Sequence, residues 1–186
     1  MRRWLLLSAV ACAPVSPAER SGDEPRDPVG EAAREPVREP TPVASLLRAR
    51  HPEDLPDRAT LDRHGGAEAL WAAAGSDPDL VVRARALELL GLYDEPVQVE
   101  RLLRTAQDPA AASKLRASAV IGLGRTRAGD RAAVVAAVAA LVRDDDRRLA
   151  LEAGAVLRTL PGGEPALAAL REDVALCPEV RGTLGP

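Results

Sequence analysis

The sequence predicts an all-α fold: an α-solenoid of three to four stacked helix pairs that follows a disordered N-terminal tail. The main observation is that the segment 77–91, DPDLVVRARALELLG, recurs along the chain. Its residues 83–87 (RARAL) return 33 positions later as residues 116–120 (RASAV). A third copy, residues 154–161, follows the second by 37 positions. Apolar residues at helical spacing, repeated with a period in the thirties to forties, are typical of a helical solenoid.

Charge and composition argue against a nucleic-acid partner. The 186 residues carry a net charge of −3, and only 2% of them are aromatic. A phosphate-binding surface needs an excess of cations, and platforms for single strands need aromatic rings. Beyond the N-terminal leader, the aromatic residues are Trp71 and Tyr93. We therefore expect another protein as the partner, and no small-molecule substrate is indicated.

The first 18 residues have the pattern of an export signal. Arg2 and Arg3 give a positively charged start, and an apolar run follows over residues 4–11. A run of this length is too short to span a bilayer, which needs about 20 residues. We interpret residues 1–18 as a signal peptide rather than as a membrane helix.

Two cleavage sites compete within this leader. Residues 8–12 (SAVAC) resemble a bacterial lipobox, in which Cys12 is lipidated and becomes the mature N-terminus. Ala9 departs from that pattern, because leucine is usual at its position. Ordinary signal-peptidase cleavage after Ala18 is the alternative, and an intracellular protein with an apolar start is a third.

Residues 13–42 are predicted to be a disordered linker. Seven prolines lie among charged and small residues between positions 14 and 42. Such a segment buries too little apolar surface to offset the entropy of ordering it, and proline and charge keep it extended. A tether that holds the folded part away from a membrane is the functional interpretation; a featureless tail is the other.

Residues 43–186 are predicted to form the solenoid, with helix ends marked by proline, glycine and capping carboxylates. Asp77 is predicted to be the N-cap of the first repeated helix, with Pro78 at its first position, and Asp130 to cap a later helix. The predicted helices are 43–50, 56–63, 67–74, 78–92, one starting at 94–96, 112–123, 131–142, 147–160, and one from about 165 to 174. Residues from Cys177 onward are predicted to be irregular.

The C-terminal end is predicted to lack a polar capping helix. Leu167, Leu170 and Val174 lie on one side of the last predicted helix. Because no further helix is expected to cover them, we predict an apolar face there for a partner or a second copy.

The repeated segments share an Asp-Pro start, an arginine one or two turns in, then alanines and a Leu-Gly pair, over residues 66–170. This arrangement resembles HEAT repeats, in particular the short type first described in phycobilisome lyases. The resemblance implies a structural ladder between neighbouring helix pairs. Its members are Asp77 with Arg83 and Asp108 with Arg116. The third copy departs, with Ala153 in the arginine column. Lyase activity is not implied, because one fold serves many functions.

The inner helices of such a solenoid line a concave face, and one exposed column is predicted to run along it. Its predicted members are Arg85, Glu88, Ser118, Ile121, Ala155 and Arg158. The column mixes charges and apolar groups without a stripe of either kind. It fits a modest polar protein interface, and it fits equally a solvated face without a partner.

No residue pattern predicts a catalytic, metal or cofactor site. His51 and His64 lie beside helix ends, and neither belongs to a recognisable triad. The run Asp144–Asp146 lacks the alternating ligands and the turning glycine of a calcium loop, so a helix N-cap is expected. If Cys12 is lipidated, Cys177 is a lone thiol.

These observations predict a non-enzymatic interaction scaffold or adaptor of the bacterial cell envelope, anchored by lipid and facing the periplasm. A soluble exported protein is the alternative location. One alternative function is an enzyme accessory or lyase-like protein, which would need polar groups that converge in the groove. The other is a purely structural spacer.

Overall fold

The computed structural model describes residues 42–48, 55–127 and 130–185. Within these ranges the chain forms helices, turns and bends, with no strand, so the predicted all-α class is confirmed. The predicted signal peptide, Cys12, the linker up to residue 41, and His51 lie outside the described residues.

Ten helices lie in the described part of the chain, and the sequence predicts nine of them to within a few residues at either end. Their bounds are α1 (Pro42–Leu47), α2 (Arg58–Arg63), α3 (Gly66–Ser76), α4 (Leu80–Leu90), α5 (Pro96–Gln107), α6 (Ser113–Arg125), α7 (Arg131–Leu141), α8 (Arg147–Thr159), α9 (Glu164–Glu172) and α10 (Pro178–Thr183).

The helices from α3 onward form four pairs, each an outer helix followed by an inner one. The pairs are α3 with α4, α5 with α6, α7 with α8, and α9 with α10. The inner helices stack in one row, in which α6 packs between α4 and α8, and α10 packs on α8. At the N-terminal end α1 packs on α3 and α4, and α2 packs on α3. This is the predicted solenoid of stacked pairs.

The spacing of the inner helices corrects the predicted period. Their first residues, Leu80, Ser113 and Arg147, are 33 and then 34 positions apart. The predicted step of 37 is therefore wrong, and the arginine column of the third copy falls on Ala150 rather than Ala153. Because the error of three positions is close to one helical turn of 3.6 residues, the wrong alignment still matched residues on one helix face.

One continuous core runs along the row, as the stacking of amphipathic pairs requires. Equivalent leucines of α4, α6 and α8 form its centre, and each is completely buried. They are Leu90, Leu123 and Leu157. Alanines dominate the contacts between inner helices, where Ala86, Ala119 and Ala153 occupy equivalent buried positions.

Gly91 and Gly122 lie where α4 and α6 cross, and each has a steric reason to be glycine. A Cβ atom on Gly91 would lie 2.1 Å from the carbonyl oxygen of Gly122, and one on Gly122 would lie 2.5 Å from the carbonyl oxygen of Leu87. Gly91 has ordinary right-handed dihedrals, with φ −65° and ψ −8°, so conformational freedom is not what it supplies. These glycines let the backbones of α4 and α6 approach closely.

Aspartate side chains cap several helices. Asp130 and Asp146 accept backbone N–H groups at the starts of α7 and α8, which confirms the predicted cap at Asp130 and the capping role of the acidic run. The predicted cap at Asp77 is wrong: Asp79 caps α4 through the N–H of Val81, at 2.8 Å. Pro78 therefore lies in the turn before the helix.

The C-terminal residues, predicted to be irregular, form the short helix α10. Val180 and Leu184 are buried, the latter against Gly154 of α8. Leu167 and Leu170 are also buried, and only Val174 is exposed, at 87%. The predicted apolar face on the last helix is therefore wrong, since α10 completes the fourth pair and covers this end of the core.

Candidate functional site

The predicted concave-face residues lie on inner helices, but the structure changes their alignment. With steps of 33 and 34, Ser118 of α6 is equivalent to Arg85 of α4 and to Glu152 of α8. Ile121 is likewise equivalent to Glu88 and to Ala155. Arg158 falls one turn further along α8, outside the column in which it was predicted.

These side chains hold the inner row together rather than form an exposed column. Ser118 is only 4% exposed. Its hydroxyl donates to Oε1 of Glu88 at 2.9 Å. Arg85 donates to the carbonyl oxygen of Leu47 at 2.7 Å, which joins α4 to α1. Ile121 is half-buried. The predicted exposure is therefore wrong for Ser118, which is buried; Arg158 is exposed, and the remaining members are half-buried.

Arg158 makes a similar contact between helices at the other end of the row. It is exposed along most of its length, but its guanidinium donates to the carbonyl oxygen of Thr183 at 2.6 Å. The contact joins α8 to the last residue of α10. Arg158 is accordingly a packing residue of the terminal pair.

A different set of equivalent residues reaches the solvent along the inner row, and we call it the inner ridge: Val81, Lys114 and Arg148. Val81 is 39% exposed, Lys114 is half-buried and Arg148 is exposed. Neither cation of the inner ridge has an acidic partner within the described residues. The equivalence of these three residues can be read from the sequence, but only when the copies are aligned with steps of 33 and 34.

The turn from each outer helix into its inner helix, a few residues before the inner-ridge position, repeats one local structure. We call this side the turn edge. The carboxylate of an aspartate in each turn accepts the backbone N–H two residues later, at 2.9 to 3.0 Å, a common way of closing a turn. The four aspartates are Asp77, Asp108, Asp144 and Asp173.

Arginines of the turn edge connect neighbouring pairs, although not with the predicted partners. Nε of Arg116 donates to the carbonyl oxygen of Ala106 at 3.0 Å. Its two terminal nitrogens donate to both oxygens of Asp144, at 3.3 and 2.6 Å. The prediction paired Arg116 with Asp108; the true partner belongs to the next pair.

The first predicted ladder contact is also reassigned. Asp77 forms an ion pair with Arg48 at 3.5 Å, and not with Arg83. Nε of Arg83 donates to the carbonyl oxygen of Ala74 at 2.9 Å, in the manner of Arg116. Arg48–Asp77 and Arg116–Asp144 therefore connect neighbours in the stack with partners other than those predicted, and Arg83 forms no such ion pair in the described chain.

We expect the Arg116–Asp144 pair to stabilise the fold in a pH-dependent way. The guanidinium of Arg116 holds the pKa of the Asp144 carboxyl below its usual value. Because the folded pKa is depressed, the contribution is present above the unfolded value of about 3.9 and is lost as the pH falls through the folded pKa. A double-mutant cycle with Arg116→Ala and Asp144→Ala should give a coupling of about 1–2 kcal/mol at pH 7.

The control for this cycle is the exposed pair Arg104–Glu100, joined at 2.7 Å within α5. Its coupling should be only about 0.3–0.5 kcal/mol, because solvent screens exposed pairs. Urea denaturation of the single and double variants at pH 7 and pH 3 measures both. Equal couplings for the two pairs, or no decrease at pH 3, would contradict the assignment.

Two cavities open on the turn edge between neighbouring pairs. One, of about 250 Å³, lies between the first and second pairs, and its wall includes Trp71, Arg83 and Asp108. The other, of about 420 Å³, lies between the third and fourth pairs. In the larger cavity the cation Arg143 is neutralised by Asp173 at 2.8 Å. The smaller cavity keeps the guanidinium of Arg83, which has no acidic partner in the described chain.

The remaining residues of chemical interest are dispersed. His64 is an exposed residue that ends α2, and Cys177 is exposed at the start of α10, beside the larger cavity. Across residues 42–48, 55–127 and 130–185, no group of three or more His, Cys, Asp and Glu side chains is placed to hold a metal ion. In the same ranges no helix has the length and apolar character needed to cross a membrane.

No protein-family model matches this chain, and a search of curated proteins finds no match. The resemblance to HEAT repeats therefore rests on the repeated residues themselves.

Proposed function

We propose that this protein is a non-enzymatic interaction module whose inner ridge binds an acidic segment of another protein. The observation that carries the proposal is the inner ridge itself, Val81, Lys114 and Arg148, at equivalent positions on stacked helices. Neighbouring packed helices are about 8–10 Å apart, so these side chains form a row along the stack. Two cations without acidic partners in the described residues fit a negatively charged ligand.

The first position of the row adds an apolar contact. Leu80 and Val81 are each 39% exposed at the start of α4. Aliphatic groups next to cations suit a partner that carries an apolar anchor and acidic neighbours, a common combination at protein interfaces. Charge on this ridge should act mainly on the rate of association and on the choice of partner.

We further propose that the module belongs to the short HEAT-like repeat class and acts at the bacterial envelope. The proposed anchor is a lipid on Cys12, with residues 13–42 as the tether. The support is the leader pattern and the proline-rich composition of the sequence. Replacement of Cys12 by Ala should move the protein from the membrane fraction to the soluble fraction; unchanged fractionation would exclude lipidation at this cysteine.

Affinity capture tests the interaction. The tagged full-length protein and its Lys114→Glu/Arg148→Glu variant would be recovered from native membranes, and co-purified proteins identified by mass spectrometry. The matched control is Arg63→Glu/Arg127→Glu, the same charge change at exposed positions away from the ridge. A stoichiometric partner retained by the control and lost by the ridge variant would support the proposal.

Two other outcomes would redirect the interpretation. A partner retained by both variants would place the interface elsewhere on the protein. If the wild-type protein captures no partner, the purely structural spacer is favoured. The enzyme-accessory alternative would be favoured if the captured protein were an enzyme whose activity changes on binding.

A further inference from the structure

The small cavity on the turn edge lies between the first and second pairs. Within the described residues, the arginine there lacks the acidic partner that the arginine between the second and third pairs has. Between the second and third pairs, Nε of Arg116 donates to the carbonyl oxygen of Ala106 at the end of an outer helix. Its two terminal nitrogens donate to the carboxylate of Asp144. Between the first and second pairs, Arg83 is fixed in the same way to Ala74. No carboxylate of the described chain completes that arrangement.

The turn after α5 is longer than the turn after α7. Asp108 is the equivalent of Asp144, but it lies five positions before the first residue of its inner helix, whereas Asp144 lies three positions before its own. Asp108 uses one carboxylate oxygen to accept the N–H of Ala110 within the longer turn. It borders the cavity without forming an ion pair with Arg83.

The cavity has the size and chemistry for one acidic side chain. Its volume is about 250 Å³, below the range of about 300–1,000 Å³ that is usual for sites of whole small molecules. The charged groups of its wall are Arg83, Arg104 and Asp108, which leaves one net positive charge. Arg104 is partly neutralised by Glu100, so Arg83 is the principal donor.

The apolar part of the wall supports the rest of a bound residue. Trp71, Leu87 and Leu115 line the same cavity as Arg83. Gly75 also borders the cavity, and a Cβ atom built on it would meet no protein atom within 4 Å. The cavity is therefore open at Gly75, and a side chain placed there would enter free space rather than the core.

We propose that this cavity binds the carboxylate of an aspartate or glutamate from an acidic peptide, with both terminal nitrogens of Arg83 as donors. The ligand would take the place that Asp144 occupies on Arg116. A planar guanidinium fixed through Nε is preorganised for such a bidentate contact, and partial burial strengthens it. The donor is Arg83 and not one of the ridge cations Lys114 and Arg148, so the two proposals are tested by different variants.

Titration with a pair of peptides tests the proposal. The probes are acetyl-Ala-Ala-Asp-Ala-Ala-amide and the same peptide with Asn in place of Asp, added to the full-length protein. Binding would be followed by the NMR signal of the Arg83 side-chain Nε–H and by calorimetry. We expect the Asp peptide to shift the Arg83 signal and to bind at least tenfold more tightly than the Asn peptide.

Two variants separate binding from folding. Arg83→Gln removes the donors, and Gly75→Leu adds a large side chain at a residue that borders the cavity and has free space around it. Each should weaken binding of the Asp peptide at least tenfold. Gly182→Leu is the matched control, since it also points to open space but lies on α10, and it should bind as the wild type does.

Three results would overturn the proposal: no binding of the Asp peptide, equal binding of both peptides, or full affinity in Gly75→Leu. If Arg83→Gln fails to fold, Gly75→Leu still decides the question. A melting curve of each variant identifies any loss of folding.

Discussion

Replacing Gly91 by Ala is expected to lower the free energy of unfolding by about 3 kcal/mol, at the upper end of the usual cost of overpacking. The new methyl group would lie 2.1 Å from the carbonyl oxygen of Gly122, which belongs to the backbone of α6. A backbone atom cannot move aside by changing a rotamer, so α4 and α6 must separate. Urea denaturation of the purified variant measures the effect.

The chain offers a matched control for this substitution. The control is the same substitution at Gly75, where the new Cβ atom would have no protein atom within 4 Å. Because alanine is the better helix former, Gly75→Ala should be neutral or stabilise α3 by up to about 1 kcal/mol. A Gly91→Ala protein as stable as the wild type would show that the two helices do not cross at these glycines.

The second large effect is expected for Leu123→Ala, which should cost about 2–5 kcal/mol. Leu123 is completely buried where α6 packs between α4 and α8, so truncation leaves a cavity in the middle of the stack. The control is Val174→Ala, since Val174 is 87% exposed and should change stability by less than about 0.5 kcal/mol. Similar denaturation midpoints for the two variants would be inconsistent with the core described above.

The architecture follows from the sequence because many weak signals agree. Repetition, helical spacing and proline or glycine at the helix ends all indicate paired helices, and nine of ten helices were predicted. The exception is α10, whose six residues are too few to display a helical period. Val180 and Leu184 are apolar, but only packing against α8 shows that they belong to the core.

The sites were harder to predict, because they depend on how helices stack. The resemblance to HEAT repeats implied that Arg116 binds Asp108, eight positions earlier, whereas stacking brings it to Asp144, 28 positions later. The hydrogen bond between Ser118 and Glu88 likewise depends on the close approach of α4 and α6. A predicted exposed column thereby became a set of contacts inside the row.

The cavity beside Arg83 had no signature in the sequence. Asp108 is present in the repeat pattern, and it therefore seemed to complete the ladder. Only the turn of five rather than three positions before α6 separates it from the role of Asp144.

The central claim is that the inner helix of each pair packs directly on the inner helix of the next. Selective isotope labelling of the 14 glycines would leave few signals and permit a direct test by NMR. A Cβ atom built on Gly91 would lie 2.8 Å from the Cα atom of Gly122, so the two glycine backbones are in close contact across α4 and α6. It therefore predicts a strong nuclear Overhauser effect between their Hα protons. The absence of that cross-peak in the folded protein, with both glycines assigned, would contradict the stacked arrangement.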